Sequence, residues 1–507
     1  MTPARASTWC WSRRQGGTWK CRSRPGTGYT PKHPDRLHTV DLAFGRTHVF
    51  YPEASDERCT AAPRQVAGLE AMRTLRRSVL VVSAGVAVVY LLLLIDWRRR
   101  AEPGPPVVRR AFEVSGPISA GSSRVRLKPP LPVVRAGYGM WRAEAETERD
   151  PLEARAIVLR VGGRTVALVL VDLVLVPADL SRALESRLTR AGIDAVVLVA
   201  THTHSSVGGF DTRVLAQIVG TGRRRKDVID RVLKASEGAA RLALDDLAPV
   251  GMRLGETRLE GWAENRSTPG APIDDVLTAA ELSRPDGQRR ARIAVVAAHP
   301  TLLPRRVREL SGDYPGEAMR RLGGEYEVAL LLQGAGGDAR PPGSGFPAID
   351  ADGAFVAQRV SEVLATATPA DGRLGLAEVE IALPRAEVQA ARSMFARRPA
   401  ANIAEWMAPA TTRITVLTIG DLTLLGVPGE PTAEAAQRIL AALPATAVAG
   451  RRVRVVGLVG DYIGYIDTPD RVLAGSGEAR RAWFGPELLD AVARGVAAGV
   501  SALRTPP

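Results

Sequence analysis

Three histidines and one glutamate carry most of the chemical promise of this sequence. His202 and His204 share the tripeptide His202-Thr203-His204, His299 follows an apolar run, and Glu430 closes Pro428-Gly429-Glu430. Imidazole nitrogen and ionised carboxylate are common zinc ligands, and a catalytic zinc keeps one tetrahedral position open to water. His202, His299 and Glu430 could supply such a set. In an extended segment His202 and His204, two residues apart, point to the same side. Imidazole titrates near neutrality, so His204 is the group to exchange protons beside that set. The bland alternative is that each histidine satisfies a loop carbonyl and Glu430 favours the N-terminus of a helix beginning at Pro431.

Other motifs carry weaker signals. Gly334-Ala335-Gly336-Gly337-Asp338 leaves an apolar run. Its N–H groups could cradle an anion, or the glycines could serve a tight crossing that needs positive φ. Asp313, within Gly312-Asp313-Tyr314-Pro315-Gly316, reads as a helix cap first and a site residue second. Arg223-Arg224-Arg225-Lys226 reads as a solvated loop, with anionic head groups as the alternative partner.

The elements that must position these residues are strands and helices in alternation, which predicts a mixed α/β domain. Apolar runs at 156–161 and 165–172 join through Gly162-Gly163, a hairpin signal. Helical spacing follows at 178–192. Run 194–200 ends in His202-Thr203-His204, run 293–298 in His299, and run 328–332 in the glycine turn. A hairpin around Gly420-Asp421 ends in Glu430, and run 453–459 leads to Asp461-Tyr462-Ile463-Gly464-Tyr465. Ligands bind outside the carboxyl ends of strands in such sheets, so these five ends suggest one shared site. No repeat of 20 to 50 residues is visible.

The formal charge of +14 is concentrated before this domain. Residues 1–71 carry +5 and residues 72–110 carry +6, leaving +3 for the rest. A basic groove needs its charge on the folded domain, so nucleic acid is not the expected partner. Cys10, Cys21 and Cys59 all precede Met72, so the body can form neither an internal disulfide nor a thiolate metal site.

Residues 1–71 have no apolar period and read as a disordered or misannotated extension, with Met72 the expected start. Ser78 to Ile95 is an 18-residue apolar run between Arg73, Arg76 and Arg77 and Arg98, Arg99 and Arg100. That length just spans a bilayer. Asp96-Trp97-Arg98 follows instead of a small-residue cleavage site, which favours an uncleaved anchor over a signal peptide. The expected organisation is an anchor at 72–100, a Pro-rich linker at 101–110 and one catalytic domain at 111–507. It would lie outside the cytoplasm, anchored by a single pass or, alternatively, secreted after cleavage.

From Arg135 to Val500 the chain resembles the catalytic domain of the neutral (alkaline, non-lysosomal) ceramidases. The resemblance rests on Gly137-Tyr138-Gly139, Asp150-Pro151-Leu152, His202-Thr203-His204-Ser205 with Gly208-Gly209, Asn265-Arg266, His299-Pro300-Thr301, Asp313-Tyr314-Pro315-Gly316, Gly337-Asp338, Pro428-Gly429-Glu430, Tyr462 to Tyr465 and Phe484-Gly485-Pro486, in the family order. It implies an α/β fold of mixed sheets flanked by helices and a zinc amidohydrolase that cleaves N-acylsphingosines with an activated water. Zinc would be held by His202, His299, Glu430 and Tyr465, with His204 beside the water, and the substrate would be a lipid-like N-acyl amide. Two positions depart from the family pattern. Arg340 stands where the family has a serine assigned as nucleophile, and Gly477 where it has a substrate-contacting tyrosine. Asp338 and Arg340 complete the candidate catalytic group with His204. Arg340 either stabilises oxyanion charge or an anionic substrate group, or points to solvent or pairs with Asp338. The competing functions are a zinc hydrolase of another amide or ester, and a non-catalytic membrane-anchored binding protein.

Overall fold

The computed structural model describes residues 64–95 and 103–503, except Trp141, Gln288, Arg289, Glu325, Tyr326 and 390–392. Before residue 64 it describes two strand pairs, Trp11–Arg13 with Trp19–Cys21 and His38–Leu42 with Gly45–Val49. The rest of the expected N-terminal extension, and residues 96–102 at the expected anchor end, lie outside the described residues. By compactness the chain divides into Met1–Gly85 and Val86–Pro507. A helix runs over Arg64–Leu94. Its Met72–Leu94 stretch is long and apolar enough to cross a membrane and is unburied.

Three sheets of five strands repeat one plan in the second unit. Their orders are Ala195–Ala200, Arg164–Val171, Glu153–Val161, Ser119–Arg126, Ala248–Pro249; then Glu327–Gln333, Arg290–Val296, Val276–Ser283, Gly251–Arg258, Thr368–Pro369; then Arg452–Val456, Leu422–Gly426, Thr411–Ile419, Arg373–Ala382, Val107–Ser115. In each sheet an antiparallel hairpin leads to a helix, and the returning strand pairs parallel with the hairpin's second strand. The crossover helices are Ala178–Thr189, Asp313–Leu322 and Ala433–Ala441. Lys226–Asp245, Phe346–Ala365 and Leu488–Ala502 follow the returning strands. The leading strands begin at Ser119, Gly251 and Arg373, so the plan recurs after 132 and then 122 residues. A period this long escapes a search for solenoid-type repeats.

The strands read as continuous apolar runs because both faces are covered. Along Glu153–Val161, Ala154, Ala156 and Val158 pack with Leu180, Leu184 and Val232 of the helices. The alternate residues Ile157, Leu159 and Val161 join Leu282, Ile293, Leu376 and Ile419 in a core shared by all three sheets. Ala377, Val379 and Ile381 of the third sheet face Val492 and Val496. The period of two in a pleated strand therefore sends one set of side chains to the helices and the other to the common core. The edge strands meet at their carboxyl ends. Gly457 N–H donates to Gln333 O (2.9 Å), Leu458 N–H to Gly429 O (3.0 Å) and Gly460 N–H to Leu198 O (2.9 Å).

Candidate metal centre

Each of the three units sends one side chain to a common point and orients it from its neighbouring strand end. His202, two residues beyond Ala200, has Nδ1 2.6 Å from Val174 O. His299, beyond Val296, has Nδ1 2.6 Å from Gly336 O. Glu430, beyond Gly426, accepts a 2.6 Å hydrogen bond at Oε1 from Tyr462 Oη. The five strand ends singled out in the sequence are therefore three candidate ligand arms and the ends that aim His299 and Glu430; the end that aims His202, at Val174, follows the 165–172 run and was not singled out.

The arms meet at Glu430 Oε2, which lies 3.1 Å from His202 Nε2 and 2.9 Å from His299 Nε2. Both Nδ1 atoms face carbonyl oxygens, so they carry the ring protons and each Nε2 presents a lone pair. Two lone pairs and a carboxylate oxygen then face one another in a buried place, an arrangement that calls for a cation. Burial, followed by the charge of Arg266, lowers His299 to about 4, so that ring does not supply the positive charge itself. Burial alone would raise the Glu430 carboxyl, but His202 and His299 hold it well below the usual carboxylate range. This donor set fits a metal ion.

His204 completes a group of three imidazoles whose ligand atoms lie within 4.8 Å of one another. Its Nδ1 is 3.1 Å from Gly137 O and its Nε2 3.4 Å from His202 Nε2. Burial, then its imidazole neighbours His202 and His299, push its pKa well below the usual value. The two histidines do not share a side through an extended segment, as the spacing predicts. His202 has φ of +68°, and this turn brings the rings together. A Cβ on Gly137 would stand 2.4 Å from His204 Nδ1, which is why the loop between Ser119–Arg126 and Glu153–Val161 needs glycine there.

Tyr465 Oη lies 3.2 Å from His299 Nε2, with the two rings parallel within 3°. Burial, then repulsion from Glu430, raise the phenol above its usual pKa. Arg266 was not read from the sequence as a site residue, yet it reaches the centre. It donates to Tyr465 Oη (2.8 Å) and Gly337 O (2.9 Å), lies 3.0 Å from His299 Nε2, and pairs with Glu478 at 3.1 Å. Tyr462 and Glu478 were missed as well. Their signal was faint, a tyrosine in the Asp461–Tyr465 loop and a lone acid beside Gly477.

Other expected positions lie farther out. Asp338 is buried and fully used, accepting from Asn265 Nδ2 (2.9 Å) and Ala433 N–H (3.0 Å). Arg340 is exposed and pairs with Glu264 at 2.6 Å rather than with Asp338. No contact joins it to the four candidate ligands among the described residues. Glu430 does not cap the following helix; that helix starts at Ala433, and Thr432 caps it. The glycine turn does not use positive φ, and of the expected anion cradle it shows one bond, from Ala335 N–H to the Asp274 carboxylate (3.3 Å). Gly334, Gly336 and Gly337 lack positive φ, and their N–H groups bond to backbone carbonyls. A Cβ on Gly337 would stand 2.8 Å from Glu430 O and Pro431 O, so glycine there permits close approach of two strand ends. Asp313 begins its helix instead of capping it, Gly312 holding that position. Its carboxylate accepts from Leu302 N–H (3.1 Å), just beyond His299. Near Gly477, the Arg481 guanidinium lies 6.0 Å over the Tyr465 ring. A separate cavity of about 370 Å³ between the first and third sheets is lined by paired charges such as Arg413 with Glu185 and Glu378.

Residues 129–329 match the family model described as neutral/alkaline non-lysosomal ceramidase, N-terminal. Residues 24–81 match a different model, described as the RNA repair, ligase-Pnkp-associating, region of Hen1. Most of that stretch lies outside the described residues. No curated protein matches the chain in sequence. In fold the chain is similar to a solved structure titled "Ceramidase complexed with C2", at 20% identity and a TM-score of 0.68, covering 76% of this chain and 75% of that one. It is equally similar to the neutral ceramidase of Pseudomonas aeruginosa, at 20% identity and a TM-score of 0.66, covering 77% and 75%. The mixed α/β architecture expected from the sequence is thus the ceramidase fold. Residues 129–329 thus match the neutral/alkaline non-lysosomal ceramidase model and the body shares the ceramidase fold, in keeping with the resemblance read from the sequence.

Proposed function

We propose that the chain is a membrane-anchored zinc amidohydrolase that cleaves a lipid-like N-acyl amide. The observation that carries this reading is the meeting of two imidazole lone pairs and the Glu430 carboxylate in a buried place. His202, His299, Glu430 and Tyr465 would hold the ion, and nitrogen with carboxylate oxygen is a donor set that suits zinc. Bound zinc supplies Lewis acidity toward an acyl carbonyl and lowers the pKa of water.

The chain's own groups do the rest. His204, its Nδ1 proton held on Gly137 O, presents a neutral Nε2 that takes the water proton and returns it to the leaving amine. Tyr462 occupies Glu430 Oε1 and leaves Oε2 for the centre. Arg266 brings a fixed positive charge against Tyr465 and offsets charge that develops on the acyl oxygen. Ceramide-type amides are the substrate class favoured by the family. Arg340 in place of a serine and Gly477 in place of a tyrosine favour a different set of substrate contacts. The Met72–Leu94 helix supports anchoring, with the body outside the cytoplasm.

The test uses the purified full chain. One zinc per chain by elemental analysis, and hydrolysis of an amide in a panel of N-acyl lipids and short-chain amides, is the expected result. His299→Ala should lose both. Stoichiometric zinc in that variant would exclude His299 as a ligand, and a zinc-loaded chain inert across the panel would leave the binding-protein reading. Protease added to intact cells should digest the body; protection until lysis would reverse the topology.

A further inference from the structure

The helix Met394–Met407 buries Ala401, Asn402 and Ala404 but exposes large apolar side chains, with Phe395 61% and Trp406 86% exposed. At about 100° per residue, Phe395 and Trp406 fall within about 20° of one another and Ile403 within about 80° of Phe395. They share one face, which also holds buried Pro399 and Asn402. The Val214–Ala216 helix packs against the Met394–Met407 helix, and it adds exposed Val214 and, in the following π-turn, Ile218. Exposed Met140 lies in the adjoining loop, which Arg142 ties to Gln217 O and Ile218 O at 3.1 and 2.9 Å. The same turn reaches the centre: Gly220 O accepts from Gly137 N–H (2.9 Å), and Gly137 O faces His204 Nδ1.

What covers this face is indicated by the end of the apolar helix. Asn402 Nδ2 donates to Leu93 O (2.8 Å) and Ile95 O (2.7 Å), and Tyr90 Oη donates to Phe395 O (2.8 Å). The last turns of an unburied apolar helix therefore end on the helix that carries the exposed face. Exposed Arg398 lies on the Met394–Met407 helix, and exposed Arg223 and Arg224 follow the π-turn. Apolar and aromatic side chains with arginines beside them suit the boundary between anionic head groups and acyl chains.

We infer that Phe395, Ile403, Trp406, Val214, Ile218 and Met140 form a docking surface for an anionic lipid bilayer, seating against the membrane the turn that reaches His204 through Gly137. The inference rests on the proposed anchoring for the placement of the Val86–Leu94 turns, and on no assumption about which amide is cleaved. The apolar face enters the acyl boundary while the arginines stay at the head groups.

The test reconstitutes the full chain in phosphatidylcholine vesicles with one fifth phosphatidylglycerol and acyl chains brominated near the head group. Wild type should show tryptophan quenching that is partly lost in Trp406→Phe. Ile218→Trp should gain quenching, and Leu242→Trp, exposed but outside the face, should not. Unchanged quenching in Trp406→Phe, or equal gain at both added tryptophans, would overturn the docking surface. Alkaline carbonate extraction separates the two ideas. A chain that resists extraction while Trp406 stays unquenched keeps its anchor and loses the docking surface. A chain that is extracted while Trp406 is quenched loses the anchor and keeps the surface.

Discussion

At the scale of single residues the site divides by what each ring nitrogen faces. His202 and His299 turn Nδ1 to carbonyl oxygens and Nε2 to Glu430, so their protons are fixed away from the centre. His204 has the same orientation but lacks a bond to Glu430, which frees it to move a proton. His204→Ala should therefore retain its metal while turnover falls by on the order of 10² to 10⁴; parallel zinc and activity measurements would expose loss of both as a ligand role. Asp313 tests a different effect. Burial raises its carboxyl to about 7, against backbone N–H donors that lower it. Folding takes up a proton there between the ordinary carboxylate range and about 7, so stability falls as pH rises through that window. Asparagine has no such titration. The melting-temperature gap between the wild type and Asp313→Asn should narrow from pH 5 to pH 8, and a constant gap would show that Asp313 does not titrate in that range.

Strand ends are the elements that do the aiming. In each unit a hairpin strand and its parallel neighbour stop side by side, so one end can carry a ligand and the other its orienting partner. Val174 serves His202, Gly336 serves His299 and Tyr462 serves Glu430. The arrangement depends on how closely the second and third five-stranded sheets approach. Gly337→Ala would drive a Cβ into the backbone of Glu430 and Pro431, at a cost of about 1–3 kcal/mol as for other overpacked sites. The variant should melt lower and bind less metal. Gly251→Ala, which meets nothing within 4 Å, should change neither in calorimetry and metal analysis. Equal behaviour of the two variants would refute the close-approach account.

The whole molecule is a tripled unit whose carboxyl ends converge, preceded by an apolar helix and a segment with its own composition. Since the body's core clusters and the side chains packed on them include, among the described residues, none before Phe112, deletion of residues 1–71 should leave its melting temperature and amidase activity unchanged; a large fall in either would assign the segment a part in the fold. By itself the sequence determined much of this. Apolar runs bounded by turn residues located the strands that lead to the site within a few residues, because strands covered on both faces exclude polar side chains, whereas Val107–Ser115, Ser119–Arg126, Gly251–Arg258, Val276–Ser283 and Arg373–Ala382 went unread. His202, His299, Glu430 and their strand-end placement were legible for the same reason, as rare polar groups at the ends of apolar runs. Tyr465 became legible through family resemblance, its spacing alone carrying no ligand signal. The threefold plan was not legible, since a repeat longer than 120 residues is held by backbone pairing and tolerates complete change of side chains. Arg266, Tyr462 and the carbonyls of Val174, Gly336 and Gly137 were decided by tertiary structure. Hydrogen bonds among groups 28 to 199 residues apart depend on which chain ends the sheets bring together, and local pattern holds no record of that.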